Sequence, residues 1–249
     1  MEDWDYYICD LDGEKAGVFL NLALRPHAPE VERRISLRIA TKLLSPDDTG
    51  LEDRDEDEAS RLEDDLEETM RARMDAVYIG RITHSGLREF YFYASGSQGM
   101  LQAAREVEKR HPEFKLEAGS APDNKWDPSL QVMYPAPDVL RSMHNQKVLA
   151  ALQEHGDDLT KAREVDHHAH FGSPEARTEF RRKVAEKGFA MRRELNTADE
   201  ETEALPFGLI VYRQHMIDEQ SIDLITAELE ALAQRYEGRY DGWESPVVE

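Results

Sequence analysis

The chain contains a single cysteine, Cys9, in 249 residues. An internal disulfide is therefore excluded, and Cys9 reads as a small buried residue of a strand, in keeping with a reducing compartment. No apolar run approaches the roughly 20 residues that span a bilayer. The sequence opens on Glu2, Asp3 and Trp4, not on a basic and then apolar leader. A cytoplasmic protein without membrane attachment is the expectation. Cations are also scarce: 31 Lys and Arg stand against 52 Asp and Glu, a formal net charge of −21. Binding to a phosphate backbone depends on Lys and Arg displacing counterions, so direct nucleic-acid binding is disfavoured. Divided after Pro137, the chain carries −12 and −9, so neither half is a concealed basic module. The cluster Arg181, Arg182, Lys183, Lys187, Arg192 and Arg193 reads as a solvated helix face and its exit.

Catalytic signatures are missing as well. There is no glycine-rich phosphate loop, no G-x-S-x-G elbow and no cysteine with a motif-level histidine partner. Carboxylates are too abundant for any pair to stand out as acid and base. No catalytic residue and no cofactor is assigned.

What is present is a clear alternation of local patterns. Tyr6–Cys9, Ala16–Leu24 and Ile35–Leu43 read as short strands separated by Asp-Gly and proline-containing turns. Ala59, Leu62, Leu66, Met70 and Met74 recur at helical spacing behind the acidic run Glu52–Glu58, which suits a helix N-terminus. Val77–Thr83 and Leu87–Ala94 form a hairpin through Ser85 and Gly86. Phe90 and Phe92 fall on one face of it and Tyr91 and Tyr93 on the other, the pattern of a central strand buried on two sides. Leu101, Ala104 and Val107 mark a second helix, Phe114–Leu116 a further strand, and Ala121–Pro137 an irregular closing stretch and linker.

In the second half, Val139 to Leu152 reads as an amphipathic helix ended by Gly156, and Arg163–Phe171 as a strand. Ser173 offers an N-cap and Pro174 the first helical position of the next helix. Phe189–Leu195 and Phe207–Arg213 read as an antiparallel pair joined by the polar loop Asn196–Glu203. Asp218 caps a helix of Ile222, Ile225, Leu229, Leu232 and Tyr236, and a last strand runs from Arg239 towards Val248. Strand, helix, strand, strand, helix, strand is the ferredoxin-like order. The expected fold is α/β in the α+β sense: two ferredoxin-like sandwich domains, residues 1–137 and 138–249, each an antiparallel sheet with helices on one face.

One cluster invites a chemical reading. Along a strand, Asp166, His168 and His170 project to one face, and two imidazoles at i and i+2 can meet one metal ion. A zinc site needs three or four ligands, and His144, His155 and His215 are scattered. The favoured reading is a polar sheet face or partner-contact surface. The alternative is a metal-dependent or small-ligand enzyme built on the same Asp/His cluster.

The second half resembles the RraB-like family, regulators of ribonuclease E activity. The resemblance over residues 145–249 rests on several matches in order: Gly156-Asp157-Asp158, Val165 to His168, Gly188-Phe189, Ile217-Asp218, and Tyr240-Asp241-Gly242-Trp243. It implies a small acidic α/β sandwich that binds the endoribonuclease and restrains RNA cleavage without being a nuclease. An acidic surface suits the basic, RNA-binding parts of such an enzyme. Asp166, His168, His170, Asp241 and Trp243 are then the candidate contact residues. The sequence departs from that family in carrying a large N-terminal domain and in lacking the long acidic tail. Residues 1–137 resemble the domain of unknown function 695 family, through Gly50-Leu51, Gly80 to Thr83, Gly86 to Tyr93 and Trp126-Asp127-Pro128. That resemblance implies no activity. The oligomeric state is left open.

Overall fold

The computed structural model describes residues 2–196 and 204–248. The chain divides into two compact units, Met1–Pro135 and Ala136–Glu249. The first contains β1 (Trp4–Leu11), β2 (Glu14–Asn21), β3 (Ile35–Lys42), α1 (Glu56–Met74), β4 (Val77–His84), β5 (Leu87–Ala94), α2 (Met100–Arg110) and β6 (Glu117–Pro122). Its six strands form one antiparallel sheet in the order β1-β2-β4-β5-β3-β6. From β3 onward this is the ferredoxin-like arrangement: the first and third strands are central and the fourth and second flank them. The β1–β2 hairpin extends the β4 edge.

Turn chemistry explains why these strands pair as they do. Ser85 and Gly86 both have positive φ, 49° and 73°, the combination a two-residue hairpin turn needs to match strand twist. Gly80 lies at the irregular register between β4 and β5, and a Cβ there would sit 2.1 Å from the Phe19 carbonyl oxygen. Only glycine permits that approach. On one face of the sheet Leu37, Ile39, Phe90 and Phe92 pack under Leu62, Leu66 and Met70 of α1 and Ala103 and Val107 of α2.

The opposite face is closed by the stretch expected to be a linker. Tyr93 stacks on Trp126 at 4.2 Å between ring centroids and donates its hydroxyl to Asp123. The indole N–H of Trp126 is donated to the Arg33 carbonyl at 2.7 Å. A π-helical turn over Pro128–Met133 follows, and the Met133 carbonyl accepts from the Tyr7 hydroxyl. Residues up to Pro135 therefore belong to the first unit as a second covering layer. The strand expected at Phe114–Leu116 begins instead at Glu117; Phe114 is buried in the core beside α2, so its apolar signal marks packing and not pairing.

The second unit contains α3 (Pro137–Glu154), β7 (Arg163–Phe171), α4 (Pro174–Ala185), β8 (Ala190–Asn196), β9 (Phe207–His215), α5 (Glu219–Arg235) and β10 (Gly238–Glu244). Its antiparallel sheet has the order β10-β7-β9-β8, again with the first and third strands central. Ser173 accepts from the Ala176 N–H and Pro174 opens α4; Asp218 accepts from the Ser221 N–H and opens α5. Both caps satisfy donors that a helix start leaves without partners. The last strand stops at Glu244, short of Val248. The loop expected after Asn196 lies, for residues 197–203, outside the described residues. Ala169, Phe171, Leu209 and Val211 pack against Phe180 and Val184 of α4 and Leu229 and Ala233 of α5. Val165, Ile217, Ile222 and Trp243 join Leu149 and Leu152 of α3 in an adjoining cluster.

Candidate interaction surface

Strand alternation sorts β7 into two chemistries. Arg163, Val165, His167, Ala169 and Phe171 are buried, and Val165, Ala169 and Phe171 meet the helices. Glu164, Asp166, His168 and His170 occupy the other face, as the sequence spacing predicts. There they do not converge on one point; each is paired locally. Asp166 accepts from Arg192 Nε and Nη2 at 2.9 and 2.7 Å, and the same guanidinium reaches Glu164 at 3.0 Å while lying 4.0 Å over the Tyr212 ring. His168 Nε2 is 3.3 Å from Glu244. His170 Nε2 is 3.7 Å from Asp241, which also pairs with Arg239. Among the described residues no group of three or more His, Cys, Asp or Glu side chains is placed to hold a metal ion.

His170 is nearly buried because Gly208 opposite leaves it room: a Cβ on Gly208 would lie 3.1 Å from His170 Cε1. Asp241 sits at a register shift in β10, between Tyr240 and Gly242, and such a bulge re-aims a side chain. Trp243 lies on the opposite side of the sheet from Asp166, His168 and His170. Its indole is buried in the helix-facing core and donates at 2.8 Å to Asn145 of α3. Asn145 in turn donates to Asp223 and Thr226 of α5. Trp243 thus fastens α3, α5 and β10 together.

Two buried polar arrangements were not foreseen from the sequence. The first is a chain of rings. The Tyr240 hydroxyl is 2.8 Å from His167 Nδ1, His167 Nε2 is 3.0 Å from His215 Nε2, and His215 Nδ1 is 2.6 Å from the Met216 carbonyl. The carbonyl can only accept, so His215 Nδ1–H donates to Met216; with both rings neutral, His167 Nε2–H then donates to His215 and Tyr240 O–H to His167. In this arrangement Nε2 of His215 accepts, which requires that ring to be neutral. Burial, with His215 as the next cause, pushes the His167 imidazole down to about 3. His215 is also lowered, mainly by burial, and burial raises the Tyr240 phenol. The alternation around Val165, Ala169 and Phe171 already places His167 among apolar neighbours; the partner 48 residues away has no local signal.

The second is the Asp157–Arg163 pair. Its side chains are at most 4% exposed, and Asp157 also accepts from the Val248 N–H. Arg163 holds the Asp157 carboxyl well below the usual carboxylate range. The Gly156-Asp157-Asp158 match therefore marks a clasp between the start of β7 and the C-terminal segment.

In the first unit the motif running from Gly80 to Tyr93 is largely structural. Glu63 of α1 accepts from Tyr78 at 2.6 Å and from Arg81, and Arg88 pairs with Glu56 at 3.2 Å. On the other face Glu89 accepts from Arg38 and Tyr91. The charged residues of the motif bind α1 to the sheet and neighbouring strands to one another.

Both units are α+β sandwiches, and the second presents an ion-paired polar sheet face. The first unit matches the family model described as Family of unknown function (DUF695) over residues 2–134; the chain belongs to that family, whose match covers more than half of it. Residues 142–245, within the second unit, match the model of RraB, Regulator of ribonuclease activity B. No curated protein matches the chain. Among solved structures, an unknown protein from Galdieria sulphuraria is 11% identical, covers 86% of this chain and 99% of its own, and has a TM-score of 0.21. A candidate glycine cleavage system transcriptional repressor is 9% identical, with 86% and 98% covered and a TM-score of 0.24. At those scores neither defines the fold or the function here. No helix among the described residues is long and apolar enough to cross a membrane.

Proposed function

We propose that the protein is a non-enzymatic regulator whose second unit binds an endoribonuclease of the ribonuclease E type in the cytoplasm and restrains it by protein–protein contact. The match of residues 142–245 to the RraB family carries this reading. The chemistry of the unit agrees with it: Asp166 is paired with Arg192, Asp241 with Arg239, and His168 and His170 lie beside Glu244 and Asp241 on the same polar face, an arrangement suited to exchanging partners with another protein. The net charge of −21 favours encounter with a basic, RNA-binding surface and disfavours RNA itself. Trp243 contributes by holding the unit's edge in shape.

The test is to mix the purified full chain with ribonuclease E at moderate salt and to follow complex formation and RNA cleavage together. Slower cleavage with a measurable complex is expected. Unchanged cleavage without a complex would remove this partner.

A further inference from the structure

The terminal strand β10 and the helix α3 enclose a groove of about 480 Å³, lined by Leu140, Arg141, Val148, Tyr240, Gly242 and Trp243 among others. Four consecutive residues of β10, Tyr240 to Trp243, line it. Tyr240 and Trp243 pack on the helix side and Asp241 lies beside His170 of the polar face, so a cavity that all four residues line runs along the strand's backbone edge. The inner edge of β10 is paired with β7, and β10 ends the sheet; the groove therefore follows its outer edge. Leu140 and Val148, half-buried on one row of α3, supply an apolar wall there. An ion pair between Arg141 and Glu230, 2.6 Å apart, lies at its side.

A strand edge without a pairing partner among the described residues, beside an apolar wall, is the geometry of strand addition, in which main-chain hydrogen bonds give affinity and side-chain pockets give selectivity. The charge decides what kind of segment fits. Of the acidic and basic side chains that line the groove, Glu230 and Asp241 are acidic and Arg141 is basic, within a chain of net charge −21. A second copy of the chain would bring the same excess of negative charge.

We infer that this groove receives an extended segment of a partner protein, with lysine or arginine alternating with apolar side chains, laid along the outer edge of β10 and resting an apolar side chain against Leu140 and Val148 of α3. The inference rests on the regulatory reading and assigns it a contact site distinct from the polar sheet face. The bulge at Asp241 limits the ladder to short runs on either side, so pocket occupancy contributes much of the selectivity.

The probe is a fluorescently labelled ten-residue peptide of alternating lysine with leucine or valine, titrated onto the full chain at moderate salt and followed by anisotropy and amide hydrogen exchange. Saturable binding is expected, with new protection in residues 239–244. At least a tenfold loss is expected in Leu140→Glu, and in a peptide N-methylated on alternate amides, which keeps every side chain and charge. Val148→Glu is the second variant, and unfolding curves show whether each variant is folded. Equal affinity for a folded Leu140→Glu protein and for the N-methylated peptide would overturn the inference, as would protection confined to β8 or no binding. The same variants tested against ribonuclease E separate the two ideas. A ribonuclease complex indifferent to Leu140→Glu removes the groove but keeps the regulator; peptide binding in the groove without any ribonuclease complex does the reverse.

Discussion

The two units share a strand order and differ in what they do with the second face of the sheet. In the first, Trp126, Met133 and the segment between them lie over Tyr93 and Tyr7, so β5 is buried on both sides. In the second, the central strand β7 has helices on one face and Asp166, His168 and His170 on the other. A sheet closed on both faces has gained its packing and offers little for another molecule to bind. A sheet with one polar face and a lined edge keeps its recognition chemistry outside the core, so changes there can alter binding with little effect on folding.

The comparison breaks most easily at its covered face. Trp126→Ala removes a fully buried indole, its stacking on Tyr93 and a buried hydrogen bond, and should destabilise the first unit by about 3–5 kcal/mol in chemical unfolding. Its counterpart on the polar face, Tyr212→Ala, loses one stacked guanidinium and should cost about 1 kcal/mol or less. Equal losses would mean that the second unit's polar face is also a core.

Next in size is the buried clasp. Arg163→Ala leaves Asp157 buried without its guanidinium and should cost about 3 kcal/mol, with hydrogen exchange rising at residues 245–248, where Asp157 holds the Val248 N–H. A silent substitution would show that the C-terminal segment is held by other contacts.

The pH dependence follows from His167. Unfolded, its imidazole takes up a proton as pH falls through about 6.5; folded, it stays neutral to about 3. The neutral ring network therefore stabilises the second unit fully above pH ~6.5. That stability is lost as pH drops towards 3, at up to about 1.4 kcal/mol per pH unit for one proton. Urea midpoints measured between pH 7 and 4.5 check this. His167→Gln should flatten the slope, and an unchanged slope would remove the buried histidine as its source.

Much of this contrast was legible in the sequence where the signal is local. Ser173-Pro174, Asp218 and Ser85-Gly86 state their turns and caps outright, and the alternation of Phe90, Tyr91, Phe92 and Tyr93 announces a strand buried on both sides. What covers it was not legible, because Trp126 lies in a proline-rich stretch with no period to read. The grouping of Asp166, His168 and His170 on one face was also readable. The inward role of Trp243 and the pairing of His167 with His215 were not, since each depends on a residue many positions away. In the Tyr240 to Trp243 sequence, turn residues and β-formers suggest a surface strand, whereas the structure uses its two aromatic side chains to anchor a histidine and a helix.

The smallest expected effect is at the polar face. Arg192→Ala removes exposed ion pairs to Asp166 and Glu164 and should leave unfolding stability nearly unchanged while measurably weakening ribonuclease binding. A large stability loss would turn that face from recognition to structure.

The most direct test of the regulatory account is amide hydrogen exchange of the full chain with and without ribonuclease E. The account predicts new protection concentrated in the second unit, on β7 and β10, with the first unit's sheet unchanged. Protection confined to residues 2–134, or none at either unit under conditions where cleavage is slowed, would contradict it.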